Sequence, residues 1–303
     1  MVDLPAKQDV CAVFVTYHPD EGFPERVERI RGQVGHVVIV DNASSAEIRR
    51  TLASLRSARL TVIENPENRG VAAALNQGVR AAEERGFSWV VTFDQDSAAD
   101  PRLIESLLGV CANLPSRDLA RLGVLGSNHV DQNTGAMYLP VSEGAAGFEE
   151  RKTVITSGSL IPVAAYEAIG PFREDFFIDG VDHEYCLRAR ANGFRVLISV
   201  APRLVHAMGN RRTERPLPGF AVDTVNYTPF RWYFIVKNRL TLVTEYARHE
   251  PTWAAARAGR LLTQLASTLA LEPRRLEKAR CMALGAWDFL THHEVRTPEE
   301  IGA

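Results

Sequence analysis

The chain has 303 residues, 46% of them hydrophobic and 24% charged, with a formal net charge of −2. That length is ample for one large catalytic unit with an extension, and the near-neutral balance excludes both a nucleic-acid footprint and an acidic tail. Four cysteines, Cys11, Cys111, Cys186 and Cys281, lie far apart without a CxxC pair, which predicts a reduced, cytosolic protein. The first nine residues lack a basic, hydrophobic leader, and no apolar run reaches the roughly 18 residues of a membrane span. Membrane contact is therefore expected to be peripheral, at the inner face of the cytoplasmic membrane.

Apolar runs at residues 10–16, 37–40 and 60–63 predict strands. Between the first two, Phe23, Val27, Ile30 and Val34 recur at three- and four-residue steps; Ile48, Leu52 and Leu55 follow the second in the same way. Both intervals predict amphipathic helices. Residues 70–85 are rich in helix formers and stop at Gly86. After another apolar run at 88–93, Asp100 is expected to cap a helix with Pro101 in its first position, running through Leu103, Leu107 and Leu108. This alternation is the pattern of parallel strands with crossover helices. Residues 124–160 predict a small antiparallel addition to the sheet. Short helices are expected at 163–169 and 182–192, closed by Gly170 and Gly193, and a strand at 194–200. Residues 211–229 carry three prolines and predict a loop that orders on ligand binding. The segment 230–290 reads as helical and basic.

Two acidic clusters carry the chemistry. Asp94, Gln95 and Asp96 end a buried strand; in an extended chain the two carboxylates point one way and Gln95 the other. Such a pair suits a hard cation on a diphosphate. Asp41 ends the second strand, at the edge where open α/β sheets bind ligands. It can accept from a base N–H or a ribose hydroxyl, or serve as a turn residue. Thr16, Tyr17 and His18 border the same crevice, with Tyr17 either stacking on a pyrimidine or only packing. Asn68 reads as a helix cap and Arg69 as a nucleotide contact, before Gly70 opens a helix N-terminus.

In the second cluster, Asp182 and Glu184 point roughly 200° apart on a helix, so a single one of them serves a substrate atom. Glu184 sits four residues before Arg188, the spacing of a helix ion pair. Asp182, at the helix start, is the candidate base; the helix N-terminus keeps it ionised and makes it a weak one. Asp179 is its rival. His206 is either a third metal ligand or a structural histidine. Arg211 and Arg212 either meet a diphosphate or form a solvated basic turn. Basic residues interspersed with Trp253, Leu262, Leu269 and Trp287 leave two roles for the helical end: packing against the catalytic domain or a second subunit, or lying on anionic lipid.

The stretches Val15-Thr16-Tyr17-His18-Pro19, Val40-Asp41-Asn42-Ala43-Ser44, Asn68-Arg69-Gly70-Val71-Ala72, Phe93-Asp94-Gln95-Asp96-Ser97, Ser157-Gly158-Ser159-Leu160-Ile161, Phe176 through Glu184 and Arg231 through Arg239 occur in order along the chain. Together they resemble the inverting, metal-dependent glycosyltransferases of the GT-A fold, and among them the bacterial rhamnosyltransferases. The resemblance implies an α/β GT-A fold, Rossmann-like, with a mostly parallel central sheet flanked by helices and a C-terminal helical extension. The expected division is a nucleotide-sugar-binding catalytic domain at 1–210 and a loop with helices on the acceptor side at 211–303. It further implies Asp96 as chief ligand of Mg²⁺ or Mn²⁺, Asp94 assisting through metal or ribose, Asp41 reading the base and Asp182 as catalytic base. Val181 stands where the family usually has an acid. The implied donor is dTDP-β-L-rhamnose, and the acceptor a bacterial cell-surface glycan or its lipid-linked precursor. Alternatives are transfer of galactofuranose or N-acetylglucosamine, a sugar-nucleotide nucleotidyltransferase, and a non-catalytic glycan-binding protein. The nucleotidyltransferase would need a glycine-rich basic loop after the first strand, where residues 18–22 are acidic.

Overall fold

The computed structural model describes residues 4–131, 135–139, 147–206, 212–217, 220–293, 296 and 298–301. The chain divides into two units, Met1–Glu174 with Tyr185–Ala207, and Asp175–Glu184 with Met208–Ala303.

The first unit follows the predicted alternation: β1 (Val10–Thr16), α1 (Phe23–Arg31), β2 (His36–Asp41), α2 (Ala46–Ser54), β3 (Leu60–Glu64), α3 (Gly70–Glu83) and β4 (Trp89–Asp94). Every residue of β1 and β2 is buried, as required of parallel strands covered on both faces. The chain continues through β5 (Ala98–Ala99), α4 (Leu103–Asn113), α5 (Ser116–Leu119), β6 (Leu122–Asp131), β7 (Phe148–Glu150), β8 (Ser159–Pro162), α6 (Val163–Ile169), α7 (Val181–Ala191) and β9 (Arg195–His206). The sheet order is β3-β2-β1-β4-β8-β6-β9-β5, with β7 also paired to β9. Strands β3, β2, β1 and β4 are mutually parallel, and β6 is parallel to β9. Strand β8 runs antiparallel to β4 and β6, while β5 and β7 run antiparallel to β9. The expected antiparallel addition is thus narrower than residues 124–160, because β6 joins the parallel part. Helix α3 lies close on β1: a Cβ at Gly78 would come within 2.2 Å of Val13 Cγ1.

Two expectations are corrected. Asp100 does not cap α4 and Pro101 is not in it. The Asp100 carboxylate accepts the Arg102 N–H at 2.8 Å and its carbonyl accepts the Leu103 N–H at 3.0 Å, so a turn uses up the aspartate before the helix begins. Residues 211–229 are not simply a loop: β10 (Arg212–Leu217) and β11 (Phe220–Thr224) pair antiparallel. The prolines misled because Pro216 falls in the register shift between Glu214 and Leu217, where a missing N–H costs the ladder nothing.

The second unit is built on α8 (Pro229–Tyr246), packed against α9 (Pro251–Leu271) and α10 (Arg275–Leu290). Thr228 caps α8 by accepting the Arg231 N–H, with Pro229 in the first turn. Trp232, Tyr233 and Phe234 are fully buried, and α10 comes so near that a Cβ on Gly285 would meet the Tyr233 carbonyl at 2.4 Å. Lys278 Nζ and Glu272 Oε2 form a 2.7 Å ion pair with side chains 3% and 1% exposed. Glu272 also accepts the N–H groups of Val225 and Asn226 at 3.1 Å and the Thr268 hydroxyl at 3.2 Å. One carboxylate thereby ties the chain after β11 to both helices. Outward, Leu262, Leu276, Trp287 and Leu290 are exposed. Among the described residues no helix is long and apolar enough to cross a membrane.

Removing one partner of a buried pair strands the other charge. Lys278→Met should therefore destabilise the protein by about 3–5 kcal/mol, and adding Glu272→Gln, which removes the stranded charge and keeps an acceptor for the Val225 and Asn226 N–H groups, should recover part of that loss. Urea unfolding followed through the helical signal measures both.

Candidate active site

Parallel register sets the site in the first unit. Thr16 pairs with Asp41 and Val15 with Asp94, so β1, β2 and β4 end on one edge of the sheet. Asp41 is fully buried. Its Oδ1 accepts the hydroxyls of Thr16 at 3.0 Å and Ser44 at 2.5 Å, and its Oδ2 accepts the Ser44 N–H at 3.0 Å. The Ser44 hydroxyl also accepts the His18 N–H at 2.8 Å. The carboxylate that the sequence offers to a base thus also locks the loops after β1 and β2 together.

A second polar layer backs it. Asn65 Nδ2 donates to Asn42 Oδ1 and Gln77 Oε1, and Asn42 Nδ2 donates to the Gly70 carbonyl. Asn68 Oδ1 accepts the Gly70 N–H at 2.9 Å, closing the turn into α3 with Gly70 at φ +82°. Arg69 is exposed beside it, and Tyr17 is half exposed with its ring edge-on to His18.

At the end of β4, Gln95 is held from two sides. Its Oε1 accepts the Tyr17 N–H at 2.7 Å and its carbonyl accepts Arg26 Nε at 2.8 Å. The Asp94 N–H donates to Ser157 Oγ, which donates to Ser97 Oγ at 2.7 Å. Gln95 is therefore committed to the loop after β1; Asp94 is half-buried and Asp96 exposed. Strand β4 ends at Asp94 and Gln95 and Asp96 lie in the turn beyond it, so the extended-chain alignment expected of the two carboxylates does not extend to Asp96; as oxygen donors both fit the chemistry of Mg²⁺ or Mn²⁺. Among the described residues no group of three or more His, Cys, Asp or Glu could hold a metal. His206 closes β9 and Arg212 opens β10, each described by its backbone alone; Arg211 lies outside the described residues.

In the second unit, Asp179 takes a left-handed φ of +64° and forms a two-pronged ion pair with Arg231 at 2.7 and 2.9 Å. The Arg231 guanidinium lies 4.1 Å over the Tyr227 ring. Asn238 Nδ2 donates to the carbonyls of Ile178 and Asp179 at 2.9 and 2.8 Å. The loop entering α7 is thereby clamped by one face of α8. Asp182, half-buried, accepts the His183 N–H at 2.8 Å. Glu184 is fully buried and accepts the Tyr246 hydroxyl at 3.1 Å. The His183 ring sits edge-on to Trp253, 5.8 Å between centroids. Burial holds its imidazole below the usual histidine range, against the opposing pull of Asp182. The clamp had no assigned role in the sequence reading, although Arg231 and Asn238, seven residues apart, share a helix face.

Comparison with known proteins adds what the chain is similar to. Residues 11–119 match the model of glycosyl transferase family 2. The chain is 28% identical over 249 residues to the dTDP-rhamnosyl transferase RfbF of Shigella flexneri, covering 78% of this chain and 80% of that protein. Among solved structures, S. aureus TarS 1–349 in complex with UDP superposes with a TM-score of 0.63 at 14% identity, covering 96% of this chain and 82% of that one. Against the longer TarS chain the coverage is 50% of its length. GalNAc-T7 with UDP, GalNAc and Mn²⁺ gives a TM-score of 0.58 at 13% identity, covering 94% of this chain and 57% of that one. At such identities these structures speak for the fold alone.

The depressed His183 sets a pH expectation. Its stability contribution is intact above the unfolded value of about 6.5 and is lost as pH falls from there toward the folded value. Stability should drop between pH 7.5 and 5.5 by more in the wild type than in His183→Asn, as measured by urea unfolding at both pH values.

Proposed function

We propose that this protein, whose residues 11–119 match the model of glycosyl transferase family 2 and whose fold is similar to that of solved glycosyltransferases, transfers L-rhamnose from dTDP-β-L-rhamnose, with inversion and with a divalent cation, to a hydroxyl of a bacterial glycan or its lipid-linked precursor. The observation that carries the reading is the convergence of Thr16, Asp41 and Asp94 on one sheet edge, with Gln95 committed to its neighbours between two carboxylates. The similarity to a dTDP-rhamnosyl transferase over most of the chain supports the donor.

In this reading Asp94 and Asp96 would hold Mg²⁺ or Mn²⁺, which would supply positive charge beside the donor diphosphate. Thr16, Tyr17 and Asp41 line the nucleoside side, with Asn68 and Arg69 beyond them. Arg212, with Arg211 before it, serves the phosphates, and His206 is a further candidate ligand. Asp182 accepts the proton of the acceptor hydroxyl as that oxygen bonds to the anomeric carbon. The bond from that carbon to the diphosphate breaks, and dTDP leaves with the electron pair. Asp182 lies in the first turn of α7. Asp179 is less suited to the role because its carboxylate carries the Arg231 guanidinium.

A panel of nucleotide sugars with Mn²⁺, read by thermal shift and slow donor hydrolysis, tests the donor. dTDP-rhamnose should give the largest shift; preference for a nucleoside triphosphate with a sugar phosphate would contradict transfer. Asp182→Asn should lower turnover about 10²–10⁴-fold while donor binding stays near the wild-type level, as single-turnover kinetics and calorimetry would show.

A further inference from the structure

In the second unit the outward side of α10 is apolar where a water-facing helix is usually polar. Leu276, Arg280, Ala283, Trp287 and Leu290 follow at steps of four, three, four and three and so share one face of the helix. All five are exposed, Leu276 at 83%, Trp287 at 61% and Leu290 at 70%. Polar members of the same helix are turned inward instead, where Lys278 pairs with Glu272 and Asp288 accepts the Tyr233 hydroxyl. On α9, Leu262 and Leu269 are exposed as well. Large apolar side chains facing outward along about 20 Å of helix mark a surface that something else covers.

Charge indicates what covers it. From Pro251 to Leu290 the exposed ionisable residues are Arg260, Arg274, Arg275, Arg280 and Glu277, and Glu277 is engaged by Arg274. The surface is therefore cationic. A second copy laid on the same face would oppose one positive patch to another. An anionic bilayer complements it, and Leu, Trp and Arg together are the composition of helices that rest in the headgroup layer. Arg280 lies inside the apolar stripe, and its side chain is long enough to carry the guanidinium to a lipid phosphate while the stem stays among apolar groups.

We propose that α10, with the adjoining end of α9, docks the protein on an anionic lipid bilayer. Leu276, Trp287 and Leu290 enter the headgroup layer, and Arg275 and Arg280 meet lipid phosphates. Docking goes beyond the transfer reading and does not rest on it; only its benefit does, since a lipid-linked acceptor lies on such a surface.

The full chain is floated with vesicles of phosphatidylcholine, alone or mixed equally with phosphatidylglycerol. The wild type should bind the mixed vesicles more tightly. Each arginine beside an anionic surface is worth about fivefold in affinity, so Arg275→Gln/Arg280→Gln should weaken that binding more than about tenfold. Arg50→Gln/Arg117→Gln, at exposed positions of the first unit, should change it less than about twofold. Trp287 gives a second readout, because the other three tryptophans, Trp89, Trp232 and Trp253, are buried. Brominated acyl chains should quench the emission of the bound wild type, and Trp287→Phe should lose that quenching. Absence of binding to the mixed vesicles, equal binding to phosphatidylcholine alone, equal losses from the two arginine double variants, or quenching that survives Trp287→Phe would overturn the docking. So would a dimer in sedimentation velocity that Trp287→Ser/Leu290→Ser dissociates, because the face would then belong to a second copy. Neither nucleotide sugar nor glycan enters these measurements, so a failure of the transfer reading leaves their outcome unaffected.

Discussion

Parallel pairing of β1 with β2 on one side and β4 on the other is the constraint from which the first unit's chemistry follows. Parallel strands must be linked by crossovers, so their carboxyl ends collect on one edge and the loops that leave them meet there. Thr16, Asp41 and Asp94 are brought together by register alone. The hydrogen bonds from Thr16 and Ser44 to Asp41, and from Tyr17 to Gln95, then fix the loops relative to the strand ends. A slip of one residue in either pairing would turn these side chains to the opposite face of the sheet.

The second unit solves a different problem, the placement of a carboxylate at the start of α7. The chain enters that helix through Asp179 and Gly180, both with positive φ, a backbone that the aspartate adopts at some cost. Arg231 and Asn238 hold it there, one through the carboxylate and the other through two carbonyls. The same helix α8 buries Trp232, Tyr233 and Phe234 as its core. Stability of the helical bundle and geometry of the loop before Asp182 therefore depend on one element.

Much of the fold was legible because buried parallel strands and amphipathic helices have strong periods. The runs at 10–16 and 37–40 and the alanine-rich segment from Gly70 appear as β1, β2 and α3 nearly as read. The β10–β11 hairpin was not legible, since its pairing places Pro216 in a register shift and no alternating run marks the strands. Asp100 misled because an aspartate before a proline serves a turn as well as a cap. Within the site, the acidic residues announce themselves by type and position. Their supports do not: Ser157 bonds to Asp94 from 63 residues away, and Arg231 to Asp179 from 52. Such long-range partners are set by topology, which a local pattern does not encode.

The central claim is that a nucleoside diphosphate binds at the β1, β2 and β4 ends jointly with a divalent cation held by Asp94 and Asp96. Calorimetric titration of the wild type and of Asp94→Asn/Asp96→Asn with dTDP, in Mn²⁺ and in EDTA, addresses it most directly. Cation-dependent binding in the wild type that disappears in the double variant is the predicted result. Equal affinity with and without the cation, or an unaffected double variant, would contradict it.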